Sequence, residues 1–207
     1  LHCKFCATHQ YQPLMSQTSC LVCNAGSVVY PLVTSGATNC SSCSVGWYSP
    51  SSMIGCDKCP SGYYCSLPGS ALATACPAGY HSSSPASTKC SACNAGRWQN
   101  LTGQTACIDC RRGYFQPNAS SSTPCHTCAA GRYQSYRSAT SCAVCGLGRS
   151  AHLMGSSSCI VCIAGFFQEL EEQTRCKACP VGYFDAEVVG SYGSGDYGSY
   201  GSSGGSY

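Results

Sequence analysis

Charge is scarce in this chain of 207 residues: only 9% are Asp, Glu, Lys or Arg, and the formal net charge is +3. A surface that neutralises a phosphate backbone needs clustered Lys and Arg, so no nucleic-acid partner is expected. Long apolar runs are missing too. None approaches the roughly 20 residues that cross a bilayer as a helix, so this segment is not expected to insert into a membrane. Large apolar side chains are few, with 5 Phe, 3 Met and 2 Trp, and a chain so composed cannot order itself around an ordinary oily core.

A catalytic constellation is lacking as well. The histidines His2, His9, His81, His126 and His152 share no spacing with carboxylates or with a unique nucleophile. The glycines follow the cysteines and precede no helical pattern, unlike a phosphate-cradling loop. Glu169, Glu171 and Glu172 read as a polar turn. The chain is therefore read as no enzyme, with no cofactor and no metal site.

Cysteine is what the chain has in excess, 22 in 207 residues, above the roughly 8–10% that marks a disulfide scaffold. Such usage belongs to an oxidising space, because cytosolic thiols are kept reduced. An extracellular protein, secreted or on the cell surface, is expected. The first residue is Leu1, and the reading is of a processed or partial chain from which a signal peptide is absent.

The cysteines are periodic. The first members of the CxxC pairs fall at 3, 20, 40, 56, 90, 107, 125, 142, 159 and 176, so most intervals are 17 residues, and the interval from Cys56 to Cys90 is twice 17. The pair missing between them has Ala73 in its first place, Cys76 in its second and an extra Cys65, which reads as a relocated cysteine and makes about eleven units. The consensus is T-x-C-x-x-C-x-x-G-x-aromatic. A glycine recurring three residues after the second cysteine, as at Gly26, Gly96 and Gly113, points to positive φ or close chain approach. Rings such as Tyr48, Trp98, Phe115 and Phe167 follow two residues later, placed to cover the disulfides. A β-branched Thr two residues before a cysteine, as at Thr105 and Thr123, suits an extended segment. The expected fold is small, disulfide-rich and mostly irregular or β, with little helix: an elongated rod of cysteine-rich repeats with short hairpins over 1–184. A Gly/Ser/Tyr-rich tail follows over 185–207.

CPSGYYCSLPGSALATACPAGY, Cys59 to Tyr80, and CKACPVGYF near the end of the repeats resemble the cysteine-rich repeats of ephrin-type-receptor-like and growth-factor-receptor-like ectodomains, with the tumour necrosis factor receptor repeat a larger relative. The resemblance covers about residues 1 to 184. It implies a disulfide-linked rod in secreted or cell-surface proteins, without implying a ligand. The chain departs from the pattern where Gly148-Arg149-Ser150 has no ring and where His9 stands in place of a glycine.

Two connectivities fit the spacing. In the preferred ladder, the second cysteine of each unit bonds the first of the next: Cys6–Cys20, Cys23–Cys40, Cys43–Cys56, Cys59–Cys65, Cys76–Cys90, Cys93–Cys107, Cys110–Cys125, Cys128–Cys142, Cys145–Cys159 and Cys162–Cys176. Cys3 and Cys179 are then left over for a bond between molecules. The other is a crossed scheme of first to first and second to second, and sequence does not decide between them.

Asn100-Leu101-Thr102 and Asn118-Ala119-Ser120 are sequons in expected turns, and glycans are expected on Asn100 and Asn118; Asn39, followed by Cys40, is the doubtful third. Three functions follow. The first is a structural extracellular glycoprotein that self-associates into a filament, surface hair or matrix fibre, its tail contacting a neighbouring subunit. The second is the ectodomain stalk of a receptor or adhesin. The third is an array of zinc knuckles, since CxxC pairs can close a tetrahedral thiolate site.

Overall fold

The structure is a computed structural model that describes residues 2–30, 35–51 and 55–183; the tail from 185 to 207, with the contact expected of it, lies outside them. There is no helix among the described residues. Instead there are ten separate two-stranded antiparallel ribbons, nearly all with strands of two residues. In the ribbon of Tyr114–Phe115 with His126–Thr127, Tyr114 faces Thr127 and Phe115 faces His126. The second strand is thus the pair of residues inside the next unit's CxxC, so each ribbon straddles a unit boundary.

The local cause is a turn. The N–H of Tyr114 donates to the carbonyl of Arg111 (3.0 Å), and Gly113 at the third turn position has φ 79°. That is the pattern of a type II turn, whose third residue needs positive φ. The turn sends the chain straight from the second cysteine into the ribbon. His9 holds the same place with φ 72°, a conformation that costs a residue with a Cβ about 1–2 kcal/mol. His9→Gly is therefore expected to stabilise the first turn by about 0.5 kcal/mol net, once the greater freedom of glycine in the unfolded chain is subtracted. Slower hydrogen exchange at the Gln10 amide, which donates to the Ala7 carbonyl, checks it.

Units are joined along one axis by a repeated set of backbone bonds. The N–H of Gly96 donates to the Gln116 carbonyl one unit on (2.8 Å), and that of Cys110 donates back to the Gly96 carbonyl (2.9 Å). The Ser120 N–H donates to the Cys93 carbonyl (2.7 Å) and the Gln99 N–H to the Ser121 carbonyl (3.0 Å). The same bonds recur from Gly26 to Gln173. Contact also reaches the unit after next, where Gly96 lies against the Ser138 carbonyl. The ion pair of Arg132 with Glu172 joins residues 40 apart. Because bonding runs only to the next unit or two, added residues add length, as in quasi-one-dimensional repeat proteins. The result is an elongated disulfide-rich rod of short hairpins.

Candidate functional site

The feature the sequence multiplies is the joint between units, and its centre is sulfur. The second cysteines Cys43, Cys59, Cys76, Cys93, Cys110, Cys128 and Cys145 are at most 1% exposed. Ten bridges form the ladder, nine joining a second cysteine to the next first cysteine and one joining Cys59 to the relocated Cys65: Cys6–Cys20, Cys23–Cys40, Cys43–Cys56, Cys59–Cys65, Cys76–Cys90, Cys93–Cys107, Cys110–Cys125, Cys128–Cys142, Cys145–Cys159 and Cys162–Cys176. Their Cα–Cα distances, 5.7 Å at Cys110–Cys125 and 6.2 Å at Cys59–Cys65, lie in the range a bridge spans without moving the backbone. Cys3, exposed, and Cys179, partly so, keep free thiols. Sulfurs bonded to one another are not thiolates, so knuckles built on these CxxC pairs would lack their ligands. His81, Cys93 and Cys107 have ligand atoms within 4.8 Å of one another, but there the two sulfurs form one bridge, which leaves the imidazole as the only strong donor.

His81 occupies the place that rings hold elsewhere, five residues after the second cysteine. Its Nδ1 is 3.2 Å from the Cys107 sulfur, and Ser150, in the same place, has its Oγ 3.5 Å from the Cys176 sulfur. In these two units the side chain at this position therefore faces a bridge further along the rod. Tyr48, Tyr64, Trp98, Phe115, Tyr133 and Phe167 stand there half-buried. Phe115 also meets the ring of His126 at 5.5 Å.

One position escapes a reading of the sequence by type. The residue after the ring is Gln12, Gln99, Gln116, Gln134 or Gln168 in five units, and its amide clamps the loop that follows. In Gln116, 1% exposed, Nε2 donates to the Thr123 carbonyl (3.3 Å) and Oε1 accepts from the Asn118 N–H (3.4 Å). Gln99, Gln134, Gln168 and Gln12 repeat both bonds at the same spacings of seven and two residues. Ser49 and Ser82 replace the amide with a hydroxyl that donates to the carbonyl two residues on, that of Ser51 and of Ser84. Val29 replaces it with a small apolar cluster including Cys23 and Ala37. In the unit without a cysteine at Ala73, Cys65 stands here and pairs with Cys59, so the relocated sulfur does the work of the clamp. The visible signal is the doublet of ring and Gln: Tyr11-Gln12, Trp98-Gln99, Phe115-Gln116, Tyr133-Gln134, Phe167-Gln168. Gln116→Ala removes both clamp bonds of a buried amide, each worth about 1 kcal/mol. The expected result is a lower urea midpoint for the oxidised chain, with Gln116→Ser milder because serine already serves at Ser49 and Ser82.

Charge sits on the outside of the joint. Arg97 pairs with Asp109 across a ribbon at 2.7 Å and Lys177 with Glu169 at 2.9 Å. Arg132 grips Glu172 with two nitrogens; the hydrogen bonds hold the carboxyl of Glu172 below the usual range and raise the guanidinium of Arg132. Asn100 and Asn118 are both exposed in the loops beyond the ribbons, and Asn39 lies in a strand beside bridged Cys40.

A search of curated proteins returned no match. A family model described as tyrosine-protein kinase ephrin type A/B receptor-like matches residues 151–192. Over that stretch the chain is similar to a receptor-type cysteine-rich repeat, and with its ten bridges it is a cysteine-rich repeat protein of the kind suited to an extracellular or cell-surface location.

Proposed function

We propose that this chain is a structural extracellular glycoprotein whose rod associates end to end into a filament, surface hair or matrix fibre. The observation that carries the reading is the one-axis ladder, in which the described units direct their backbone bonds to the units before and behind them. A protein so built supplies reach, stiffness and resistance to unfolding rather than chemistry. The ladder leaves thiols on Cys3 and Cys179, and a bond between Cys179 of one molecule and Cys3 of the next continues the alternation of second with first cysteine. The exposed Asn100 and Asn118 are the proposed glycan sites.

Electron microscopy of native material tests this directly. Continuous fibres that fall to single rods under mild reductant are expected, together with a ladder of multimers on a non-reducing gel. Strictly single rods with both thiols free would overturn it. The second reading is the stalk of a receptor or adhesin, favoured by the receptor-type match over residues 151–192. A membrane anchor in the gene beyond this segment, with monomeric rods, would select it.

A further inference from the structure

The repeat makes two hollows on the rod directly comparable. One is lined by Trp98, Ile108, Asp109, Arg111, Tyr114 and Cys125 and has a volume of about 260 Å³. The equivalent place 51 or 52 residues on is lined by Ser150, Ile160, Val161, Ile163, Phe166 and Cys176 and has about 340 Å³. Position for position, the Trp98 ring has become Ser150, and the charges of Asp109 and Arg111 have become Val161 and Ile163. The second hollow is therefore larger where the ring is lost and apolar where the first is charged.

The same exchange frees a cation. Arg97 pairs with Asp109 across its ribbon. Its equivalent, Arg149, lies opposite Val161 and is exposed with no carboxylate partner among the described residues. Arg175, on the wall of the hollow, is likewise exposed. An apolar cavity missing a ring, with Arg175 in its wall and the exposed Arg149 across the ribbon from its lining residue Val161, suits an aromatic side chain within an acidic segment.

The chain carries one such segment. Residues 185–207 hold Asp185, Glu187 and Asp196, the tyrosines Tyr192, Tyr197, Tyr200 and Tyr207, and no Lys, Arg or His. The hollow lies at the tail's own end of the rod, its last lining residue being Cys176. Tyr192 is nine residues past Tyr183, the last described residue, and nine extended residues reach roughly 30 Å. A tether that short holds the ring at an effective concentration on the order of millimolar. We propose that this hollow is a docking site for the chain's own tail, with a tyrosine, Tyr192 the first within reach, seated over Ser150 and the neighbouring acids against Arg149 and Arg175. This does not depend on filament formation, since the contact closes within one molecule.

Hydrogen exchange on the intact, oxidised full-length chain at submicromolar concentration tests it. Amides around Tyr192 are expected to exchange about tenfold more slowly than in a free peptide of the same sequence. Ser150→Tyr, which refills the hollow as in the other units, and the double change Arg149→Glu with Arg175→Glu on the exposed rim, should each restore the free rate. The Gly148 amide, bonded to the Gln168 carbonyl at 2.8 Å, must stay protected in both variants, reporting an intact stack. Free-peptide rates in the unaltered chain would overturn the proposal, as would slow exchange that survives both variants. Slowing that appears only as protein concentration rises assigns the hollow to a second molecule's tail and overturns it too.

Discussion

Gly96→Ala is expected to cost the rod about 3 kcal/mol, whereas Gly103→Ala, seven residues away and also at positive φ, costs about 1 kcal/mol. Both glycines are left-handed, at φ 85° and 70°, so each alanine carries the backbone strain of about 1–2 kcal/mol. They differ in what a methyl group would meet. At Gly96 it would overlap the carbonyl of Ser138, two units along, and backbone cannot swing aside as a side-chain tip can. Relieving the overlap moves the Ser138 turn away and weakens the bond from the Ser138 N–H to the Cys110 carbonyl (2.9 Å) and that from the Gly96 N–H to the Gln116 carbonyl (2.8 Å), each worth about 1 kcal/mol. At Gly103 the nearest atoms are the Tyr63 hydroxyl and ring at 3.6–3.7 Å, an ordinary contact. Urea unfolding with the bridges closed, and exchange at the Ser138 amide, measure the difference. Equal losses in the two variants would mean that the close approach between alternate units carries no energy.

That contrast also explains what could be read in advance. Cysteine and the first glycine of most units are legible because little else does their work: no other side chain forms the bridge, and from Gly26 to Gly131 a Cβ would overlap a carbonyl two units on. The second left-handed position is hidden because it tolerates substitution. It is Gly69 and Gly103 in some units, but Ser16, Ala86, Ser120, Ser138 and Glu172 in others, all at φ between 55° and 73°. Ordinary contact distances around Gly69 and Gly103 leave only a modest backbone cost, too small to hold one residue type there. The Gln clamp is hidden for another reason. Gln116 and its equivalents bond to backbone groups, which every residue has, so the sequence displays one partner and not the other. A buried amide then reads as one more polar loop residue. The period of 17 announces a repeat without saying how far along the axis each unit reaches, and contact with the unit after next emerges only once the type II turns and their bonds are placed. His9 and Ser150, two of the departures from the pattern, mark a strained first turn and the unfilled hollow respectively.

Removing one bridge, with Cys110→Ala and Cys125→Ala together, is expected to cost about 3 kcal/mol for a loop of this length, within the 2–5 kcal/mol usual for small secreted domains. The loss should be local. Cys110 supplies the carbonyl that holds the Ser138 amide, and its own N–H holds the Gly96 carbonyl, so exchange should quicken at those amides and at Gly113. Amides several units away, such as Cys43 and Gly46, depend on bonds to Gly26 and Cys65 and should keep their protection. A compact protein would spread the damage through a shared core, but here the buried side chains are mostly the sulfurs of the joints with a Gln, Ser or Ala beside them, and the apolar cluster of Cys23, Val29 and Ala37 serves only its own end. The pair Cys59→Ala and Cys65→Ala makes the complementary case. That bridge closes only six residues, worth about 2 kcal/mol of loop entropy, yet Cys65 also fills the clamp position, so its loss should loosen the loop towards Gly69 as much as it frees the chain. Restoring the repeat with Ala73→Cys and Cys65→Gln should then recover stability, with Cys59 bonded to the cysteine introduced at position 73 in the peptide map. Global unfolding from a single missing bridge would refute the one-dimensional account, because stability assembled joint by joint can be lost only joint by joint.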